Sequence, residues 1–142
     1  MGVFLFFRLT GDKPSETGFS QMKTVVTKAA DLDKMQPANN QMIKRLYGID
    51  PTQYGDVLLY YPLTNMGAEE LMLVRMKDDA QKDAVKKALE GRQAAQTKSF
   101  EGYGVEQTAM LKKSIIDVRS NYALFISGDD PQAVENAFDA AY

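Results

Sequence analysis

The residues that could carry chemistry are acidic pairs and an arginine–glutamine pair, with no histidine or cysteine beside them. Asp78-Asp79 and Asp129-Asp130 could bind calcium or serve as acid and base. Each pair precedes a predicted helix, where an aspartate accepts hydrogen bonds from free backbone N–H groups. Neither pair lies in a loop with the alternating oxygen ligands of calcium sites. Helix capping is therefore favoured, and no catalytic or metal-binding residue and no cofactor is assigned.

Arg92 and Gln96 stand four residues apart on one face of a predicted helix. A guanidinium and an amide on a partly covered face could hold a carboxylate or an array of sugar hydroxyls. Alternatively, Arg92 covers the sheet edge and bonds loop carbonyls, while Gln96 fixes the turn at 100–103. The structural alternative is favoured, because buried polar groups are normally hydrogen-bonded to other protein groups.

Three further groups are weaker candidates. Glu69 and Glu70 are adjacent, so on a strand they point to opposite faces and could at most blunt a sheet edge. Met66, in a loop, is the best candidate for an exposed apolar contact. Most tyrosines are expected to be half-buried, although they could line a carbohydrate or peptide surface: Tyr47, Tyr54, Tyr60, Tyr61, Tyr103 and Tyr122.

Composition excludes several classes of function. The 142 residues are 44% hydrophobic, which suits one compact domain with its own core. A formal net charge of -2 provides no basic excess for a phosphate backbone, so nucleic acid is not expected as a partner. Without histidine or cysteine, the chain cannot form Ser-His-Asp or Cys-His nucleophile systems, disulfides or imidazole and thiolate zinc sites.

The elements that must position these residues follow from periodicity. Helical spacing predicts helices from Ser20, as its N-cap, to residue 30, from Pro37 or Asn40 to Tyr47, over 78–100, over 105–113 and after Asp130. Alternation predicts strands over 57–61 and 70–77 and a hairpin of 114–119 with 122–127. On the long helix the predicted inner stripe runs through Ala84, Val85, Ala88, Leu89, Arg92, Ala95, Gln96 and Ser99.

These elements predict an α+β fold. Two strand–strand–helix units in succession indicate a ββα-ββα arrangement, an antiparallel sheet of about four strands with helices packed on one face. The N-terminal helices are expected to pack on that sheet as well. Residues 19–142 are therefore predicted to form a single domain.

Residues 1–18 are predicted to be an arm and linker outside that domain. The apolar run Val3-Phe4-Leu5-Phe6-Phe7 is too short to span a bilayer, and Gly11, Pro14 and Gly18 mark a linker after it. The run is interpreted as the remnant of an anchor helix. A short strand or a tucked apolar arm remains the alternative.

A set of short motifs spread over about 20–140 carries a family resemblance. The most specific part is the run from Arg92 to Gln107, and the others add to it. The motifs are Tyr47-Gly48-Ile49-Asp50, Tyr61-Pro62-Leu63-Thr64-Asn65-Met66, Ala68-Glu69-Glu70, Arg92-Gln93-Ala94-Ala95-Gln96 with Phe100, Tyr103 and Gln107, and Asn121-Tyr122.

On these motifs the chain resembles the domain-of-unknown-function family numbered 4358, found mostly in Firmicutes. The resemblance implies a domain exported to the outer face of the cytoplasmic membrane, where many similar proteins are lipoproteins. This chain departs from that habit, because it has no cysteine to carry a lipid. An N-terminal tether is therefore expected to be its membrane contact. The family brings no activity with it.

The function expected from these observations is a non-catalytic interaction or ligand-binding module of the cell envelope. Its partner would be an unidentified envelope protein or wall component. One alternative is a wall glycan or peptide hydrolase, which needs two carboxylates facing each other across a cleft. Another is a purely architectural subunit. The predicted contact region consists of Asn65, Met66, Arg92, Gln96 and Tyr103.

Overall fold

The computed structural model describes residues 4–6 and 13–142, and they form an α+β fold. The predicted class is confirmed, although the sheet has six strands rather than about four. The strands are β1 (Phe4–Phe6), β2 (Met35–Pro37), β3 (Asp56–Pro62), β4 (Glu70–Arg75), β5 (Ile115–Val118) and β6 (Tyr122–Ser127). The helices are α1 (Phe19–Ala29), α2 (Asn40–Tyr47), α3 (Lys82–Phe100), α4 (Val105–Lys112) and α5 (Pro131–Ala141).

The sheet runs in the order β1-β5-β6-β4-β3-β2, and all neighbouring strands are antiparallel except β1 and β5. The predicted ββα-ββα core is present as β3-β4-α3 followed by β5-β6-α5, with α4 between the two halves. The ladder between β4 and β6 joins the halves, with Glu70 opposite Ser127 and Arg75 opposite Tyr122. Both of these strands are therefore internal to the sheet.

Helices cover both faces of the sheet, so the expectation of helices on one face is wrong. On one face α2 and α3 pack on Met72, Val74 and Phe125. On the other face α1 and α5 pack on Leu71 and Leu73 of β4 and on alternate residues of β6. Because both faces are covered, the central strands contain apolar residues in succession instead of a clean alternation with polar ones.

Local capping follows the sequence at α2 and α5, with exceptions at α1 and α3. Asn39 accepts a hydrogen bond from Met42 N and begins α2, which ends at Gly48 in the left-handed conformation with φ of 71°. Asp130 caps α5 by accepting from Ala133 N. In α1, Gly18 rather than Ser20 is the N-cap, and α3 begins at Lys82 after Gln81, which makes no side-chain cap.

The predicted linker hydrogen-bonds to the domain where it is described. Ser15 and the side chain of Asn121 exchange two hydrogen bonds, and the Tyr122 hydroxyl donates to Thr17 O. Val3, Phe7 and the linker residues before Lys13 lie outside the described residues. Phe4–Phe6, from the predicted anchor remnant, form the β1 backbone ladder with β5.

Candidate functional site

Four of the five predicted contact residues, Asn65, Met66, Arg92 and Gln96, line two cavities beside a tight turn between β3 and β4, residues 63–67. Gly67 N donates to Thr64 O at 3.1 Å, which closes the turn. Gln107 Nε2 of α4 donates to Met66 O at 2.8 Å and holds the turn against the second half of the molecule. A Cβ on Gly67 would lie 3.2 Å from Pro62 Cβ, so the close approach favours glycine here.

On one side of this turn lies a cavity of about 320 Å³, which we call the polar cleft. It brings together three of the five predicted contact residues, Asn65, Arg92 and Gln96. Its apolar walls come from β3, the turn and α2. The full lining is Gln36, Leu46, Tyr61, Pro62, Leu63, Thr64, Asn65, Gly67, Arg92, Gln96 and Ser99.

Several polar groups of the cleft have no partner in the described part of the chain. The side chains of Asn65, Gln96 and Ser99 make no hydrogen bond there, nor does the Tyr61 hydroxyl. Gln96 was expected to fix the turn at 100–103, but backbone bonds to Phe100 O hold that turn. The cleft therefore offers donors and acceptors that are available for a ligand.

The base of this region is a buried triad of Glu70, Arg92 and Tyr47. Arg92 donates from Nε and Nη2 to the two carboxylate oxygens of Glu70 at 2.9 and 2.8 Å, and the Tyr47 hydroxyl donates to Glu70 Oε2. Glu70 is 1% exposed, and it lies on an internal strand. The expectation that Glu70 blunts an edge strand is therefore wrong, as is the expectation that Arg92 bonds loop carbonyls.

Burial and charge shift the pKa values of Tyr47 and Arg92 in this triad. Burial raises the pKa of Tyr47 well above its ordinary value, and the neighbouring Glu70 carboxylate raises it further. Burial lowers the pKa of Arg92, but the hydrogen bonds and charge of Glu70 more than offset it, so the Arg92 pKa is raised. The arginine thus stays charged and the tyrosine neutral. Arg92 and Glu70 cancel, and the cleft carries no net charge from them.

On the other side of the turn lies a cavity of about 370 Å³, which we call the acidic groove. Met66, a predicted contact residue, lines this groove instead of the cleft. Three carboxylates and one lysine accompany its apolar residues. The lining is Lys34, Leu63, Thr64, Met66, Gly67, Ala68, Glu69, Glu106, Gln107, Met110 and Asp129.

Exposed apolar side chains concentrate at the same end of the fold. Leu63 and Met66 of the turn and Tyr103 and Val105 of the α3–α4 corner are each more than half exposed. These four are the exposed large hydrophobic residues of the described chain. Tyr103, the fifth predicted contact residue, lines neither cavity but has its ring 6.0 Å from that of Phe100.

The residues of α3 that are buried differ from those of the predicted inner stripe. Val85, Leu89, Gln93 and Phe100 are buried, and the Arg92 side chain is 11% exposed. Gln93 Nε2 donates to Ser114 Oγ at 2.6 Å, and no described atom bonds its Oε1. Ala84, Ala95 and Ser99, predicted to face inwards, are exposed.

A second buried polar cluster lies on the opposite face, between β5 and α5. Arg119 makes paired hydrogen bonds of 2.9 Å to both carboxylate oxygens of Asp117, and its Nη2 also bonds Asp139 at 2.7 Å. Glu135 is 1% exposed and its Oε2 lies 3.8 Å from the guanidinium. Neither side-chain oxygen of Glu135 forms a hydrogen bond within the described structure.

Burial raises the pKa of Glu135 to about 9, and the adjacent Asp117 carboxylate adds to the rise. Protonated at neutral pH, Glu135 can donate to Asp117. The Arg119 charge opposes this shift, although Asp117 and Asp139 already neutralise it. The cluster is thus compensated partly by ion pairs and partly by a bound proton.

One residue of each acidic pair is a cap, although Asp78 caps the short 3-10 turn Asp79–Gln81 and α3 itself begins after Gln81 without a side-chain cap. Asp78 accepts from Ala80 N, and Asp130 caps α5 as predicted. Asp79 instead accepts a hydrogen bond from the Ser120 hydroxyl. Within residues 13–142 no group of three acidic side chains could hold a metal ion.

Sequence reasoning missed Glu70 as the partner of Arg92, and it missed the Arg119 cluster. Alternation already places Glu70 on the Met72 and Val74 face, which was a usable signal. Asp117 and Arg119 likewise share one strand face, and Glu135 adjoins Val134 in the buried stripe of α5. A charge inside an apolar stripe is the common feature of these residues.

Comparison with known proteins gives a single family. The family model described as "Domain of unknown function (DUF4358)" matches residues 28–128. No curated protein and no solved structure matches the chain. Among the helices described, none is both long enough and apolar enough to cross a membrane.

Replacing Arg92 by methionine is expected to lower the free energy of unfolding by about 3–5 kcal/mol, because it leaves the Glu70 carboxylate buried without its counter-charge. Chemical denaturation of the purified domain measures the change. The double variant Glu70→Leu/Arg92→Met should recover much of the loss, since neither charge then remains. A single variant as stable as wild type would show that the ion pair is not structural.

Glu135 should make stability depend on pH. Its pKa is about 9 in the folded state against 4.5 ordinarily, so the folded state binds the proton more tightly. The stabilising contribution is complete below pH 4.5 and is lost as the pH rises towards 9. Glu135→Gln should flatten this decline and melt at a higher temperature than wild type at pH 8. Melting curves across the range test this, with exposed Glu101→Gln as control. If the stability of the Glu135→Gln variant fell equally steeply with rising pH, another group would be the cause of the pH dependence.

Proposed function

The chain belongs to DUF4358, a family of domains of unknown function, and we propose that this member is a non-catalytic ligand-binding module. The polar cleft is its binding site, and a neutral, hydroxyl-rich glycan fragment is its ligand. The observation that carries this proposal is the convergence of Asn65, Arg92 and Gln96 on one cavity with unpartnered polar groups.

The chemistry of the cleft suits a sugar better than an ionic ligand. Arg92 is the charged residue of its lining, and Glu70 already neutralises it. The amides of Asn65 and Gln96 and the Tyr61 hydroxyl can each donate and accept, as recognition of hydroxyl groups requires. The Tyr61 ring and the apolar wall can cover the C–H face of a sugar ring.

The Arg92 guanidinium is already fixed in position for such a ligand. Its Nε and Nη2 bond Glu70, whereas Nη1 makes no hydrogen bond within the described chain. The guanidinium is fixed by two parallel bonds, so little side-chain freedom would be lost on binding. This fixed guanidinium supports a binding function, because a preorganised hydrogen-bond donor raises affinity and takes no part in a reaction.

The hydrolase alternative has less support at this cavity. Two carboxylates must face each other across the scissile bond of a glycan. The lining of the polar cleft contains neither aspartate nor glutamate, and Glu70 behind it is buried and paired. Carboxylates lie in the acidic groove, yet Glu106 and Asp129 are solvent-exposed there.

Titration with soluble N-acetylglucosamine oligomers, followed by backbone amide NMR, tests the binding proposal. Shifts should concentrate at the 63–67 turn and at the C-terminal half of α3. Asn65→Ala and Gln96→Ala should each weaken binding by about fivefold, the loss of roughly one hydrogen bond. Neither side chain is hydrogen-bonded within residues 13–142, so the fold should be unaffected.

Gln132→Ala on α5 is the matched control, because it removes an exposed amide from the opposite face of the sheet. Equal weakening by Gln132→Ala, or no shifts with any oligomer, would refute glycan binding at the cleft. Cleaved oligomers in the mass spectrum would favour the hydrolase. A stoichiometric protein partner without small-molecule stabilisation would favour an architectural subunit.

We also propose that the domain is displayed outside the cytoplasmic membrane through an N-terminal tether. The support is the family resemblance together with the absence of a lipid-accepting cysteine. Fractionation of native cells and the intact mass of the protein test it. A membrane-bound species heavier than this chain is expected, and a cytoplasmic species of the same mass would rule out envelope display.

A further inference from the structure

We propose that the acidic groove is the docking site for a basic peptide segment of a partner protein, with apolar residues next to its lysines or arginines. This goes beyond glycan binding, because it uses the opposite side of the 63–67 turn and different side chains. Leu63, Thr64 and Gly67 form the wall common to both cavities.

Charge supplies the first argument. Glu69, Glu106 and Asp129 line the groove, against Lys34 as the single base. None of these four makes an ion pair within the described chain. An excess of unpaired carboxylates around a concave surface attracts cations and repels anionic partners. The groove therefore favours a segment with lysine or arginine.

Apolar surface supplies the second argument and distinguishes a peptide from a simple cation. Met66 and Met110 line the groove together with Leu63. Methionine side chains are flexible and polarisable, and they suit surfaces that accept varied apolar side chains. Tyr103 and Val105 of the α3–α4 corner are also exposed apolar side chains, although they do not line the groove. The combination fits a segment in which basic and apolar residues alternate.

The walls are preformed, so binding does not have to order them. Ala68, beside the turn, is buried against Phe100 and Leu111, and Met110 packs on this cluster. At the α3–α4 corner, a Cβ on Gly104 would come within 2.8 Å of the Phe100 ring, so the corner is tightly packed. A rigid groove loses little entropy when a peptide enters it.

The volume of the acidic groove and the charge around it together favour a peptide segment over other ligands. A cavity of about 370 Å³ receives a few side chains of an extended segment rather than the surface of a folded domain. The chain itself has a net charge of -2, so a second copy offers no basic excess to complement the groove. Anionic lipid and nucleic acid would be repelled.

Selection from a random peptide library displayed on phage tests the proposal. Wild-type protein should enrich peptides with lysine or arginine beside leucine, isoleucine or phenylalanine. A synthetic copy of the most enriched peptide should bind Glu69→Gln/Glu106→Gln roughly tenfold more weakly, as expected for two exposed charge pairs. Met66→Ser should also weaken it. Added salt should reduce wild-type affinity more than that of the double variant.

Glu16→Gln/Asp83→Asn is the matched control, since it removes the same charge from exposed positions outside the groove. Gln96→Ala, which alters the polar cleft, should bind the peptide as wild type does, so this test succeeds or fails independently of glycan binding. Enrichment without basic residues, or equal weakening by the control, would overturn the proposal. So would a self-associated dimer in sedimentation that Met66→Asp dissociates, because a second copy would then occupy the groove.

Discussion

A carboxylate buried in an internal strand has to be neutralised, and this requirement organises one half of the molecule. Glu70 begins β4 on the face that α2 and α3 cover. Transfer of such a carboxylate from water into the protein interior would cost several kcal/mol if nothing compensated its charge. Arg92 from α3 and Tyr47 from α2 supply that compensation, so both helices are tied to the same point of the sheet. The polar cleft lies where these elements meet the 63–67 turn.

Buried carboxylates also have to be neutralised in the second half of the fold, but the means are different there. Arg119, one residue beyond the end of β5, bonds Asp117 of that strand, and α5 brings Glu135 and Asp139 to it. Here three carboxylates surround one guanidinium, and protonation of Glu135 removes one of the three negative charges, which leaves Asp117 and the partly exposed Asp139 paired with Arg119. The two halves thus share an order of elements and a buried arginine, but the first is balanced by charge alone and the second depends on the solution pH.

Much of the fold could be predicted because it is local. Asn39, Gly48 and Asp130 mark helix ends by their own backbone and capping chemistry, and the alternation in β4 correctly separated its two faces. The second layer of helices could not be predicted in the same way, because covering a face depends on contacts between distant segments. For the same reason the alternation could assign Glu70 to a face but not show that the face is buried.

The stripe of α3 was misplaced for a more specific reason. Alanines occupy many of its positions, and an alanine fits a buried or an exposed site at almost equal cost, so they do not fix the phase of the helix. Val85, Leu89 and Phe100 define the buried line, and Gln93 falls on it. Of the candidate site, periodicity could place Arg92 and Gln96 near one another. It could not find the turn that separates the cleft from the groove.

The position of β6 has a consequence for how the chain acquires its structure. This strand lies between β5 and β4, and all of its residues are buried. Its partner β4 is far away in sequence, so the ladder joining the two halves closes a long loop, which is a slow step in folding. Until Tyr122–Ser127 have been synthesised, no ladder among the described strands connects β2, β3 and β4 to β5. A growing chain therefore keeps the apolar faces of β3 and β4 incompletely covered until its last quarter is made.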